Sequence, residues 1–397
     1  MWVLISKIGL LPRLAICIVL GSILGLIGWY PVMAALATFN LLFGQFLTFS
    51  IPLIILSFIV VGISDIGKGA GKMVAIIVIY AYILTVSSGY LSYGVMAIFQ
   101  PLVVEIGSAV VAADARAAVP SLVNIAVAPV MPIMTALVFA FVVGIFMVNI
   151  KDGHVIKQGA SEFRDIIRQL IANVLVPLLP IHIAGIFARI AYQGQAAQIF
   201  ATFTRVFILI ILLHWAFLFV LYAIAGSLYK TSPFKLIKPM ISSYMTAIGT
   251  QSSAATIPVN LINVKKLGVR SQLADFTVPL GASISLPGST MSIVCCAIAV
   301  MFMFDMPVSV AILTPFLFGV AVAMVAAPGV PGGAIMASVG LLDHVLGFNE
   351  AQVALMIALY IAQDSFGTAV NVTSDGPMTM YLNRYLGHKT LDYKESI

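Results

Sequence analysis

Long apolar segments constrain the fold of this chain more than any other feature. About 20 consecutive apolar residues cross a bilayer as a helix, and eight segments are long enough to do so. They are, roughly, residues 8–30, 34–63, 73–99, 120–149, 166–190, 203–228, 270–304 and 350–383. The 397 residues are 61% hydrophobic and only 9% charged, which excludes a soluble domain. Because backbone polar groups in lipid must pair internally, the sequence predicts an all-α polytopic membrane protein.

Two further apolar segments, roughly 233–263 and 308–346, are interrupted by Gly, Pro and Ser. Lys and Arg cluster in alternate loops, which places both termini in the cytoplasm by the positive-inside rule. This orientation requires each interrupted segment to enter and leave the membrane on one side. We therefore predict eight transmembrane helices plus two re-entrant helical hairpins in a bacterial-type plasma membrane. The net charge of +6 reflects these loops and indicates no nucleic-acid partner.

The chain divides near residue 230. Residues 1–229 hold six plain spans, typical of a scaffold, and residues 386–397 form a cytoplasmic tail. Residues 230–385 have the order hairpin, broken span, hairpin, broken span, which are inverted repeats of one unit. Paired segments interrupted by Gly and Pro in corresponding positions indicate a transporter binding site.

Four polar side chains share one face of the last span at helical spacing. They are Asp364, Thr368, Asn371 and Asp375. A carboxylate at membrane depth costs about 2.5–3.5 kcal/mol or more at the bilayer centre, so both aspartates are candidate functional groups. Their eleven-residue separation is about 16 Å along an intact helix, too far to share a proton.

The two aspartates are therefore expected to serve separate sites, one for a ligand ammonium and one for a metal ion. Asn371 lies between them and could serve both. The alternative is that each forms a buried ion pair, for which only Arg189 and Arg205 lie in or near other spans. An intramembrane aspartyl protease would need carboxylates close enough to share a proton, and a passive channel needs no ammonium pocket.

Three other motifs interrupt apolar segments. TQSSAATIPVN at 250–260 offers hydroxyl donors, PLGASISLPGST at 279–290 combines prolines with hydroxyls, and AAPGVPGGAIM at 326–336 is rich in glycine. Unwound backbone of this kind offers free amides to anions and free carbonyls to cations. The alternatives are a small-residue helix interface, a simple proline kink and an extracellular loop, respectively.

Together with QDSFGTAVNVTSD at 363–375, these motifs resemble those of the glutamate transporter family, the dicarboxylate/amino acid:cation symporters. The form SSAATIPVN with QDS is similar to the bacterial serine/threonine branch. The resemblance implies a homotrimer with an elevator-type transporter fold. The first spans would form the trimerisation scaffold, while the hairpins and spans seven and eight, with spans three and six, would form a mobile transport domain.

Carried onto this sequence, the family's substrate-binding residues match ten positions. They are Ser252, Ser253, Ser289, Val330, Gly332, Gly333, Asp364, Gly367, Thr368 and Asn371. The resemblance implies that Asp364 binds the substrate amino group. It also implies two sodium sites, one at Asp375 and one formed by backbone carbonyls near the second hairpin. The residues of these metal sites are Gly281, Ser283, Ser285, Val325, Ala327, Asn371 and Asp375.

Three departures from the family pattern bear most on the substrate and the coupling ion. Gly367 replaces the Arg of members that carry acidic substrates, which favours a neutral substrate and leaves space for a sizeable side chain. Pro287 replaces the Asp of a third sodium site, so fewer than three ions are expected. Ser285 replaces an Asn of the family's sodium site near Asp375, which weakens the case for sodium there. A proton bound at Asp375 is therefore the alternative coupling ion.

The sequence therefore predicts a secondary active symporter of neutral amino acids that are serine-, threonine- or alanine-like or somewhat larger. Its expected coupling ion is Na⁺, and its expected partners are a small amino acid, membrane lipid and two further copies of itself. The alternative is a proton-coupled symporter of the same fold for another small zwitterion or carboxylate. An enzyme activity is not expected.

Overall fold

The computed structural model of this chain describes residues 10–66, 71–108, 119–123, 125, 127–150, 154–194, 196–325, 327 and 332–386. This part of the chain is all-helical and contains no strand. The helices before residue 230 are α1 Leu10–Ile27, α2 Tyr30–Ile66, α3 Gly71–Val103, α4 Ile133–Asn149, α5 His154–Leu170, α6 Val176–Tyr192 and α7 Ala196–Tyr229, with a π-helical turn Ile171–Leu175 between α5 and α6. The later helices are α8 Pro233–Thr250, α9 Ser253–Lys265, α10 Ser271–Ile284, α11 Pro287–Met303, α12 Val310–Val325, α13 Gly333–His344 and α14 Glu350–Leu386.

Among the described residues, five helical segments are long and apolar enough to cross a membrane. They are Ala75–Val103, Val155–Tyr192, Ile199–Tyr229, Ser271–Met303 and Ala351–Tyr385. Together with shorter apolar helices such as Val310–Val325, they make this a multi-pass membrane protein.

The predicted fourth span, 120–149, is wrong in its first half. Helix α4 begins only at Ile133, and the described residues between 119 and 132 are not helical. Pro120, Pro129 and Pro132 explain the difference, because proline has no N–H to donate and clashes with the preceding helical turn. Apolar composition alone did not separate these non-helical residues from the helix that follows them.

The last span was expected to be broken, and the structure shows one continuous helix, α14, instead. Pro377 within it cannot donate to the carbonyl of Thr373, four residues earlier. The Tyr222 hydroxyl of α7 donates to that carbonyl at 2.8 Å, so the acceptor is still paired. A tertiary contact therefore lets the helix continue through a proline.

The seventh span is broken as its prolines and glycines predict. Helix α10 ends at Ile284, where the Ser285 amide donates to the Gly281 carbonyl at 2.8 Å. Helix α11 begins at Pro287, whose missing N–H costs nothing in the first turn. Except for Phe302, every residue of α11 is buried, so this helix forms the centre of the molecule.

The two interrupted segments each form a pair of packed helices, α8 with α9 and α12 with α13. The first pair turns at Gln251, which has a left-handed φ of 53°, and the Ser252 hydroxyl then caps α9 by accepting from the Ala255 amide at 3.3 Å. Helix α14 packs against α8 to α11 and α13, and α3 and α7 also pack against α11. The remaining early helices pack mainly on one another, α1 with α6 and α2 with α4, α5 and α6.

Candidate functional site

The break between α10 and α11 lies directly against α14. Asn371 Oδ1 accepts from the amides of Gly288 and Ser289, at 2.8 and 3.2 Å. Its Nδ2 donates to the Ser289 hydroxyl at 2.8 Å. These contacts are buried, so one amide side chain satisfies the first free N–H groups of α11 and holds the break against α14.

Asp364 lies about two turns before Asn371 and is also buried. Its Oδ1 accepts from the Tyr360 hydroxyl at 2.8 Å, and its Oδ2 accepts from the Gly332 amide at 2.6 Å. Gly332 precedes α13 with a φ of +76°, a conformation that glycine adopts without strain. No Lys, Arg or His within the described ranges forms an ion pair with this carboxylate.

Helices α11 and α14 approach each other closely at Gly367. A Cβ atom at this position would lie 3.3 Å from the Cα and amide nitrogen of Ser289. A Cβ atom on Gly288 would overlap the Gly367 carbonyl and the Val370 side chain. A side chain at position 367 would therefore begin against the α11 backbone. The expected space for a sizeable substrate side chain stays a prediction.

Asp375 has a different environment from Asp364. Its Oδ2 accepts from Asn260 Nδ2 at 3.1 Å, and that nitrogen also donates to the Val372 carbonyl at 3.0 Å. Oδ1 of Asp375 and Oδ1 of Asn260 are buried and have no hydrogen-bond partner among the described residues. A Cβ atom on Gly281 would overlap Asp375 Oδ1, so the predicted pair Gly281 and Asp375 does lie together.

The oxygens around Asp375 suit a sodium ion that is transported together with the substrate. Sodium is a hard cation that takes oxygen ligands. Two buried oxygens without a donor, one of them anionic, are the kind of acceptor that such an ion satisfies. The predicted ligand Ser285 is buried, and its amide donates to the Gly281 carbonyl. The predicted ligand Asn371 directs both ends of its amide to the α11 break instead.

The residues predicted for the second sodium site are only partly gathered. Val325 packs on the cluster that contains Ile284, the neighbour of Ser283, and Ala327 is buried. Ser283 itself is exposed and donates to the Pro279 carbonyl at 3.2 Å. Of the other predicted substrate residues, Ser253, Gly333 and Thr368 are buried and Ser252 caps α9, while Val330 lies outside the described residues.

Four contacts around the site were not predicted. Tyr360 lies one turn before Asp364, so the helical spacing that united the four polar residues also pointed to it. Asn260 closes the motif at 250–260 and was read only as part of that motif. Ser88 donates to the Pro287 carbonyl at 3.3 Å, and His214 Nε2 donates to the Gly288 carbonyl at 3.1 Å. A lone His or Ser in an apolar span gives no indication of which carbonyl it will meet.

A separate cavity of about 630 Å³ lies between α2, α6, α13 and α14. Arg189, His182 and Asn40 line it, whereas Asp364 and Asp375 do not. Arg189 was one of two cations considered as ion-pair partners for the aspartates. Neither Arg189 nor Arg205 pairs with them in the part of the chain that the structure describes.

Sequence comparison gives two results. The profile of the sodium:dicarboxylate symporter family matches residues 10–385. Two proteins named serine/threonine transporter SstT, from Campylobacter jejuni subsp. doylei and Campylobacter jejuni subsp. jejuni, are 28% and 27% identical to this chain over 247 residues. Each match covers 58% of this chain, and the chain spans about 60% of the length of these relatives.

Proposed function

Since this chain belongs to the sodium:dicarboxylate symporter family, we propose that it is a secondary active symporter of small neutral amino acids, coupled to sodium with fewer than three ions. One observation carries the proposal. Two buried carboxylates on α14 lie in different surroundings. Both oxygens of Asp364 accept hydrogen bonds, whereas Oδ1 of Asp375 and the neighbouring Oδ1 of Asn260 have no donor among the described residues. One suits an ammonium ligand and the other a metal cation. As a member of a symporter family, the chain is a transporter and not an enzyme.

Asp364 binds the substrate ammonium in this proposal. At the α11 break, the Ser289 hydroxyl accepts from Asn371 Nδ2 and donates its own hydrogen to the substrate carboxylate. No described cation lies beside Asp364 to accept a second carboxylate, which favours a neutral side chain over aspartate or glutamate. The tight packing at Gly367 favours the small end of the predicted range, serine, threonine or alanine, and the names of the two relatives agree with this.

Sodium is the proposed coupling ion at Asp375, with Asn260 as a further oxygen ligand. Asn371 is placed to couple the two sites, because it holds the α11 break against the helix that carries both aspartates. The alternative is a proton-coupled symporter for another small zwitterion or carboxylate. It is favoured by Ser285, which supplies a smaller side chain than the family's Asn at this point.

The arrangement of helices supports the rest of the proposal. The pairs α8–α9 and α12–α13 are the two re-entrant hairpins, entering from opposite sides as inverted repeats. Residues 230–385 with α3 and α7 form the transport domain, because both helices pack on α11. The other early helices form the scaffold of a homotrimer, and transport follows an elevator-type movement with both termini in the cytoplasm.

Uptake into proteoliposomes tests the function. Purified full-length protein is reconstituted, and uptake of labelled serine, threonine and alanine is measured under a sodium gradient alone and a proton gradient alone. Concentrative uptake with sodium alone is expected. Uptake driven only by the proton gradient would overturn sodium coupling and support the alternative. Aspartate serves as the control substrate, and its preferential uptake would contradict the neutral specificity.

A further inference from the structure

We propose that the donor pair, the Tyr360 hydroxyl and the Gly332 amide, satisfies Asp364 when the transport site returns without an amino acid. Tyr360 would then be a positioning residue that controls net uptake more strongly than substrate exchange. The inference rests on the proposed function, since it assigns a step of the transport cycle to a contact of the same site.

The donor pair engages both oxygens of one carboxylate. Tyr360 donates to Oδ1 at 2.8 Å from one turn earlier on α14, and Gly332 donates to Oδ2 at 2.6 Å from the start of α13. The Tyr360 side chain is fully buried, so water does not compete for its hydroxyl. The carboxylate therefore joins the α12–α13 pair to α14 through donors that belong to the protein.

This arrangement matters because Asp364 has no cation beside it among the described residues. A buried carboxylate needs hydrogen bonds to replace those of water, and leaving it short of donors is costly. Among the described residues, the donors that reach this carboxylate are the neutral Tyr360 hydroxyl and Gly332 amide.

The loaded and unloaded sites depend on Tyr360 to different degrees. A substrate ammonium brings three donors to the carboxylate, so the loaded site tolerates loss of the phenol hydrogen bond. Without an ammonium, the donor pair is all that the described residues supply. Loss of one hydrogen bond to a charged group shifts an equilibrium constant by about 10- to 100-fold. Removing the Tyr360 hydroxyl should therefore make the empty site, in which Gly332 packs against Asp364, less favourable by about that factor.

Assays of exchange and of net uptake distinguish a defect of the loaded site from a defect of the unloaded site. Net uptake requires the site to return unloaded, whereas exchange of external for internal serine does not. Proteoliposomes containing the full-length protein receive the same sodium gradient, either without internal amino acid or with unlabelled internal serine. The initial rate of labelled serine entry is measured in each.

Tyr360→Phe is expected to lower the ratio of net uptake to exchange by about tenfold or more. The matched control is Tyr381→Phe, also on α14, which removes a 2.7 Å hydrogen bond from its hydroxyl to the Leu221 carbonyl. The control should keep the wild-type ratio. A Tyr360→Phe variant that keeps the wild-type ratio, or loses both modes equally, overturns the inference.

A second measurement does not depend on transport. Saturating serine should raise the melting temperature of Tyr360→Phe more than that of the wild type, because the ammonium replaces the lost donor. An equal or smaller rise also counts against the inference. If the wild-type protein neither takes up nor exchanges serine, threonine or alanine, the proposed function itself fails and the inference with it.

Discussion

Gly281 lies so close to Asp375 that a Cβ atom on the glycine would overlap Oδ1 of the carboxylate. Glycine is therefore required where α10 approaches α14. Oδ1 is buried and has no hydrogen-bond donor among the described residues. The end of α10 therefore lies against the carboxylate oxygen that is proposed to bind the ion. A substitution at Gly281 tests this site directly.

Gly281→Ala should impair sodium coupling. The added methyl group must displace the carboxylate, so the sodium concentration for half-maximal serine uptake should rise by about tenfold or more, as for the loss of one charged contact. The sodium dependence of uptake in proteoliposomes measures this. Gly249→Ala on α8 is the control, because its Cβ would meet nothing within 4 Å. Wild-type sodium dependence in Gly281→Ala would place the ion elsewhere.

Asp364→Asn should nearly abolish transport of zwitterionic amino acids. An amide cannot pair with the substrate ammonium as a carboxylate does, so kcat/KM for serine should fall by about 10- to 100-fold or more. Initial uptake rates over a range of serine concentrations measure the change. Asp343→Asn serves as control, since its half-exposed carboxylate pairs with His344 at 3.2 Å and lies away from the site. Unaltered serine kinetics in Asp364→Asn would disprove the assigned role.

Asn260→Ala should weaken the ion site and the fold together. It leaves Asp375 without its described donor, which should cost about 1–3 kcal/mol of stability and raise the sodium requirement. Thermal unfolding and sodium-dependent uptake separate the two effects. Asn263→Ala on the same helix removes bonds to Ser242 and Ser243 instead. Both variants should be less stable, but only Asn260→Ala should need more sodium; identical sodium curves would exclude Asn260 as a ligand.

His214→Ala should raise KM for serine. Its Nε2 holds the Gly288 carbonyl at 3.1 Å, and the amide of the same residue is bound by Asn371. Loss of one such bond changes affinity by about 2- to 13-fold, because its net value is about 0.5–1.5 kcal/mol. Uptake kinetics provide the readout, with His182→Ala as the control because His182 contacts Asn40 on α2. An unchanged KM in His214→Ala would mean that the break is positioned without it.

The helical content and the break in span seven were predictable from the sequence, because both follow from local properties. Apolar length sets the spans, and the prolines and glycines between Pro279 and Gly288 interrupt one of them. Helical spacing also placed Asp364, Asn371 and Asp375 on one face. The non-helical residues described before Ile133 were missed because their composition is as apolar as that of a helix.

The partners of these residues were decided only by the tertiary structure. Asn260 meets Asp375 across 115 residues of sequence, and Tyr222 meets the Thr373 carbonyl across 151. Gly367 packs against the backbone of α11, a contact between distant parts of the chain that no local pattern encodes. Periodicity determines which side chains share a face. Only the crossing of distant helices determines which donor or backbone that face meets.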